Sequence, residues 1–201
     1  MNTAITPQTS DVRANILATG QRIMAGKGYS AVGLNEILSA AGVPKGSFYH
    51  YFGSKDGFGE AMLEAYFEDY LAEIDRTMQL PGLTMAQRLM LYFDAWKNAQ
   101  SFDECQGKCL AVKLGAEVAD LSEPMRLVLR RGTDGIVARL TKAVAMGVRE
   151  GSLTINGEAA VVGSSLYQLW LGASLMVKIA RTTEPFEAAL ASTRQLLHLA
   201  P

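Results

Sequence analysis

Gly42-Val43-Pro44-Lys45-Gly46-Ser47-Phe48-Tyr49-His50-Tyr51-Phe52, with Ser54-Lys55 just behind it, is the stretch that decides the fold of this 201-residue chain. Upstream of it, Leu34, Ile37, Leu38 and Ala41 recur at i, i+3, i+4 and i+7, the stripe of a short amphipathic helix. Gly42 suits the end of that helix, because glycine takes a left-handed cap without steric cost. Pro44 suits the first turn of a second helix, where its missing N–H is not needed. Two short helices across a tight glycine turn make a helix-turn-helix, whose second helix can lie in a DNA major groove. That helix carries one cation, small residues that permit close approach, and tyrosine and histidine side chains with polar tips. The same spacing also suits two core helices joined by a plain connector, so spacing alone leaves both readings open.

Composition narrows the choice. Hydrophobic residues make up 49% of the chain and charged residues 19%, so it can bury a core. A net charge of −1 excludes a generally basic nucleic-acid coat, and DNA binding must be local. Residues 11–55 supply that locality: Arg13, Arg22, Lys27, Lys45 and Lys55 stand against Asp11 and Glu36. The excess is modest, but a dimer doubles it across two half-sites. Met1 to Ser10 has neither a cationic region nor an apolar run, so no secretory signal is expected there. Ala159 to Val177 is free of charge and long enough to span a bilayer, yet Ser164, Ser165, Tyr167, Gln168 and Ser174 interrupt it. A helix buried all round in a bundle or dimer interface is the expectation, with no membrane partner. The cytoplasm is the expected compartment, where the two cysteines stay reduced.

No useful length of strand alternation occurs, and helical stripes continue through the chain. A first helix is expected from about Asp11 to Ala25, with Ile16, Leu17, Ile23 and Met24 inward. A long fourth helix starts after Ser54, a fitting N-cap, with Asp56 at the positive end of the dipole, and runs to about residue 78. Residues 84–100 and about Gly107 to Val118 read as the fifth and sixth. Ser122-Glu123-Pro124 announces a seventh with an N-cap, an early acid and a proline, ending at Gly151. The eighth covers about Glu158 to Arg181, and a ninth opens at Glu184-Pro185 and runs to Leu199.

Residues 11–57 resemble the DNA-binding domain of the TetR family of transcriptional repressors, through the run Val43 to Phe52 followed by Ser54-Lys55. The resemblance implies an all-α, nine-helix, two-domain architecture. Residues 11–57 would form the helix-turn-helix domain and residues 58–201 the effector-sensing and dimerisation domain. Lys45, Gly46 and Ser47 open the second motif helix, the end that reaches base edges in this docking mode. Lys45 can donate to guanine O6 or N7, Ser47 can donate or accept, and Gly46 allows close approach. By resemblance, Tyr49 and His50 bond phosphates and Lys55 is a further phosphate contact. Phe48 and Phe52 are expected in the core. His50 as a metal ligand or catalytic base is set aside, since the other histidine, His198, lies at the far end of the sequence. Val32-Gly33 stands where many relatives carry a hydroxyl residue, which places that capping phosphate contact in doubt.

The second informative segment is Cys105-Gln106-Gly107-Lys108-Cys109-Leu110-Ala111-Val112-Lys113-Leu114. Cys109 stands beside Lys108, near a helix start, with Lys113 one turn on, and both cations and a helix N-terminus raise the thiolate fraction. A thiolate there could react with electrophiles or oxidants, with Cys105 as a resolving partner. The alternative is two small buried hydrophobes, the common fate of free cysteine. Along its length the chain also resembles the electrophile-sensing branch of the family, the N-ethylmaleimide reductase repressors. The runs that carry this are Gly107 to Leu114 with Glu117, Asp120 to Glu123, and Leu169 to Ala173 with Lys178. The resemblance implies Cys109 as a sensor of reactive chlorine species, quinones and aldehydes, and Lys178 as a participant; it offers no counterpart for Cys105. Lys178 in an apolar helix wants a partner.

Similar cysteines occur in relatives that bind small molecules such as acrylate, so a reversibly bound inducer stays open, with Tyr92, Phe93, Trp96, Tyr167 and Trp170 as a candidate lining. No catalytic histidine, paired carboxylates or phosphate loop accompanies Cys109, so an enzyme, a metal site and a cofactor are not expected. The expected partners are a double-stranded, palindromic DNA operator and a second copy of the chain. The eighth and ninth helices would form the homodimer, packed by Leu169, Trp170 and Leu175 with Gly163, Gly172 and Ala173.

Overall fold

The helical stripes become nine α-helices in the computed structural model, which describes residues 9–99 and 110–200. In chain order these are α1 (Thr9–Lys27), α2 (Leu34–Ala41), α3 (Lys45–Phe52), α4 (Lys55–Met78) and α5 (Met85–Ala99). Then come α6 (Leu110–Leu121), α7 (Glu123–Glu150), α8 (Ala159–Ala180) and α9 (Glu184–Leu196). The all-α, nine-helix expectation holds among the described residues. Cys105 and Cys109, with Lys108, lie outside them.

The first three helices close around a small apolar centre. Ile16, Leu17 and Met24 from α1, Ile37 and Leu38 from α2, and Phe48 and Phe52 from α3 are buried. Phe58 of α4 enters the same centre, its ring 5.3 Å from Phe48 and 5.1 Å from Phe52. Each such ring withdrawn from water contributes about 1.5–3 kcal/mol, so α4 is tied to the head by burial as well as by the chain. Gly42 adopts φ 67° and ψ 32°, a left-handed cap whose N–H faces the last carbonyls of α2. Pro44 stands at the N-cap of α3, one residue ahead of the expected position inside its first turn. At the start of α2, Gly33 is the N-cap and no side chain caps that end, as the missing hydroxyl led one to expect.

The larger layer is built on α7, which packs against α4, α5, α6 and α8. Ser54 caps α4 as expected, its hydroxyl oxygen accepting the Gly57 N–H at 2.9 Å. Ser122 is a correction: it holds the N-cap position of α7 but forms no side-chain cap hydrogen bond. Pro124 in the first turn and the acid Glu123 begin that helix without it.

Among the described residues, α8 alone is long and apolar enough to cross a membrane by length and composition. Its inner stripe of Val162, Leu166, Tyr167, Trp170, Ala173 and Val177 is buried against α7 and α9. Its outer stripe is not covered: Val161, Leu175, Met176 and Ile179 are exposed. The expectation of burial all round therefore fails within one chain. Trp170 and Ala173 are corrections as dimer contacts, because both are buried inside the protomer. Gly163 is likewise turned inward, against Thr141 of α7.

Candidate nucleic-acid interface and regulatory region

Helix α3 turns two faces in opposite senses. Phe48 and Phe52, four apart, face the core, while Lys45, Gly46, Tyr49 and His50 are exposed and Ser47 is half-buried. The Lys45 ammonium lies 5.7 Å from the Tyr49 ring centroid, so both side chains share the outer face. Arg13 of α1 is exposed at the end of α3, its guanidinium 5.5 Å from the Phe52 ring centroid. This is a cationic, hydroxyl-bearing surface on a short helix held rigidly by its aromatic underside.

Lys55 has a different setting. Its ammonium donates to the Tyr29 carbonyl at 3.0 Å and lies 4.5 Å from the centre of the Tyr29 ring. The Tyr29 phenol donates to Asp56 at 2.8 Å. Burial first, then this hydrogen bond and the nearby carboxylates of Asp56 and Glu117, push the phenol far above its usual pKa, so it stays a neutral donor. Tyr29 thus joins the α1–α2 loop to the first turn of α4.

Helix α6 reaches the same loop. The Glu117 carboxylate accepts the Tyr29 N–H at 3.0 Å and the Ser30 N–H at 2.7 Å, one on each oxygen. Hydrogen bonding from the Ser30 side chain, then from the Ser30 and Tyr29 amides, together with the charge of Lys113, holds this carboxyl below the usual range against the opposing cost of desolvation.

In the larger layer the five aromatics named from the sequence do come together. Phe93 stacks on Trp170 at 4.8 Å, Trp96 stands 6.0 Å from both Tyr167 and Trp170, and Tyr92 is 5.9 Å from Trp96. Trp170 also stacks on Phe186 of α9 at 5.8 Å. Buried hydrogen bonds fix the two indoles: Trp96 donates to Ser174 and Trp170 to Thr193, each at 2.9 Å. A cavity of about 640 Å³ opens beside this cluster, between α4 and α5. Tyr92 and Trp96 line it, together with Tyr66, Tyr70, Asp69 and Glu73. Phe93, Tyr167 and Trp170 do not; they are packed core, which corrects their assignment to a pocket wall.

Comparison with known proteins decides the family. Residues 16–62 match the bacterial regulatory proteins of the tetR family, and residues 86–193 match the tetracyclin repressor-like C-terminal domain. The HTH-type transcriptional repressor NemR of Escherichia coli (strain K12) is 41% identical over 187 residues, covering 93% of this chain and 94% of that protein. The HTH-type transcriptional repressor DhaR of Mycobacterium sp. (strain GP1) is 33% identical, covering 92% and 96%. The crystal structure of E. coli NemR in its reduced form superposes with a TM-score of 0.88, at 41% identity, over 93% of this chain and 97% of that one. The chain belongs to the TetR family.

As a transcriptional repressor of that family it binds DNA, and regulators of this kind recognise operators and act as dimers. The matched relatives are transcriptional regulators, not enzymes. Of the α3 residues named from the sequence, Lys45, Gly46, Tyr49 and His50 are exposed and Ser47 is half-buried, while Lys55 stands apart from them on Tyr29. Lys178 is half-buried on α8, and Cys109, one candidate partner for it, lies outside the described residues, as does Cys105. Sequence reasoning missed Tyr29 as a junction and Glu117 as its clasp. Glu117 had only its place near the cysteine run to mark it.

Proposed function

We propose that this repressor is released from a palindromic operator when reactive electrophiles or oxidants modify Cys109. The exposed Lys45–Tyr49 face of α3, backed by buried Phe48 and Phe52, carries the DNA half of the reading. Lys45, Gly46 and Ser47 approach base edges, Tyr49 and His50 hold phosphates, and Lys55 acts at the same backbone from the start of α4. Residues 11–57 serve as the DNA-binding unit and 58–201 as the sensing and dimerisation unit, in the cytoplasm. The dimer forms through α8 and α9, whose outer surface carries Leu175, Met176 and Ile179.

The sensing half is supported by the 41% identity to NemR, whose solved form is described as reduced, and by the cations flanking Cys109 in sequence. The Cys109 thiolate adds to an electrophilic double bond and the neighbouring carbon takes up a proton. The adduct biases the dimer toward a separation of heads that no longer fits DNA. Lys178 partners the thiolate or its oxidation product, and Cys105 is a candidate resolving thiol.

Binding to a DNA fragment from the gene's own upstream region tests this, with and without N-ethylmaleimide, for the native chain and Cys109→Ser. Loss of binding in the native chain alone is the expected result. Loss in both, or in neither, would remove Cys109 from the mechanism. The 640 Å³ cavity supports the second reading, a reversible inducer bound against Tyr66, Tyr70, Tyr92 and Trp96.

A further inference from the structure

The loop between α1 and α2 is held from two sides. From α4, Lys55 grips the Tyr29 carbonyl and Asp56 accepts the Tyr29 phenol. From α6, both oxygens of Glu117 are used on the successive amides of Tyr29 and Ser30. Gly28 makes room for this approach. It adopts φ 93°, and a Cβ there would stand 3.1 Å from the Glu117 Oε2. Two charge-assisted bonds from one rigid carboxylate to two fixed amides set orientation as well as distance.

Resting on the repressor reading above, we propose that Glu117 is the positioning residue that ties the orientation of the DNA-binding head to the position of α6. Helix α6 begins at Leu110, directly after Cys109 in sequence, and Glu117 follows two turns on. A helix is stiff along that length, so a displacement at its start arrives at Glu117 almost undiminished. Amide–carboxylate bonds hold over a few tenths of an ångström, and a shift of about 1 Å breaks at least one of them. The loop leads into α2, and α2 is packed through Ile37 and Leu38 into the centre that carries α3. A close-packed unit of that kind turns as a body rather than absorbing the motion. Glu117 thus links the regulatory layer to the reading helix through a contact that is either made or broken.

The test uses the full-length protein with Glu117→Ala and Glu117→Gln. Operator affinity is measured by fluorescence anisotropy with and without N-ethylmaleimide. Head orientation is measured independently as the distance between nitroxides at Ser39→Cys and Ala138→Cys, both exposed positions. The native cysteines are replaced by serine for that measurement, and the labelled chains are diluted with unlabelled ones. The native chain should lose affinity about tenfold or more on alkylation, within the usual range of allosteric coupling. In Glu117→Ala that ratio should fall toward one and the nitroxide distances should broaden; Glu117→Gln, which keeps one acceptor, should fall between. A lowered melting temperature with an unchanged ratio and unchanged distances would reduce Glu117 to a loop cap and overturn the proposal. Should Glu117→Ala not fold, Glu117→Gln decides on the same two readouts. If the native chain ignores N-ethylmaleimide, the Cys109 reading fails and the nitroxide distances alone judge Glu117.

Discussion

Lys45 and Tyr49 share the outer face of α3, and their chemistry predicts two different losses on DNA. On the proposed reading Lys45 meets a base edge, so Lys45→Ala should cost about 1–3 kcal/mol on the operator and relax preference at one base position. Tyr49→Phe removes a hydroxyl alone and should weaken binding by a similar factor on every sequence. Anisotropy titrations on the operator and on single-base variants separate the two, and identical profiles would sink the division of roles. Glu117 carries a prediction of another kind. A carboxyl held below its ordinary pKa in the fold adds stability above that ordinary value and loses it as pH falls through the folded one. Glu117→Gln should therefore flatten the acid limb of the melting-temperature profile while Glu123 and Glu150, also held low, continue to titrate. An acid limb that matches the native chain would show that the carboxylate charge is not what holds the loop. The exposed residues of α3 were legible because a motif of fixed spacing carries them. The Glu117 clasp was not, since its partners, the amides of Tyr29 and Ser30 and the Ser30 side chain, lie 87 and 88 residues away, and no local spacing records a pairing of that range.

Helices α7 and α8 meet where a side chain would not fit. A Cβ on Gly163 would stand 2.8 Å from the Thr141 backbone nitrogen and 2.9 Å from its Cα. Backbone cannot swing aside as a rotamer can, so Gly163→Ala must push the two helices apart. Overpacking of this sort costs about 1–3 kcal/mol, which thermal or urea unfolding would register. A neutral Gly163→Ala would mean that the helices already sit further apart. Gly26 of α1, where an added Cβ meets nothing within 4 Å, is the control. Element by element, the helical stripes foretold the order of helices and most of their bounds, because periodic burial is what the stripe records. Two features escaped for physical reasons. Ser122 has the right residue type for a cap, but whether its hydroxyl turns back on the helix depends on tertiary surroundings. The aromatic group of Tyr92, Phe93, Trp96, Tyr167 and Trp170 was correctly brought together, yet periodicity reports burial and cannot tell a cavity wall from a filled core. Stacking of Trp170 between Phe93 and Phe186 settles it as core.

At the scale of the whole molecule, the uncovered side of α8 needs an explanation that one chain does not supply. Leu175, Met176 and Ile179 are 51%, 48% and 64% exposed, so more than a stray leucine faces outward. Covering side chains of this size contributes about 1.5–3 kcal/mol each, and in a two-fold interface every residue is covered twice. A second copy seated on α8 and α9 would thus draw its stability from the same stripe that a lone chain leaves wet. Carboxylates placed there would face their own symmetry mates across the axis, in surroundings with little water to screen them. Leu175→Glu combined with Ile179→Glu should therefore give a monomer by sedimentation equilibrium, with helical content by circular dichroism unchanged. Leu91→Glu, at a comparably exposed leucine on α5, should leave the dimer intact. The monomer should also bind the operator far more weakly, since each head must then hold its half-site without the other's phosphate contacts. A dimer that survives both glutamates would move the interface off this stripe, and a monomer that keeps full operator affinity would separate dimerisation from DNA recognition.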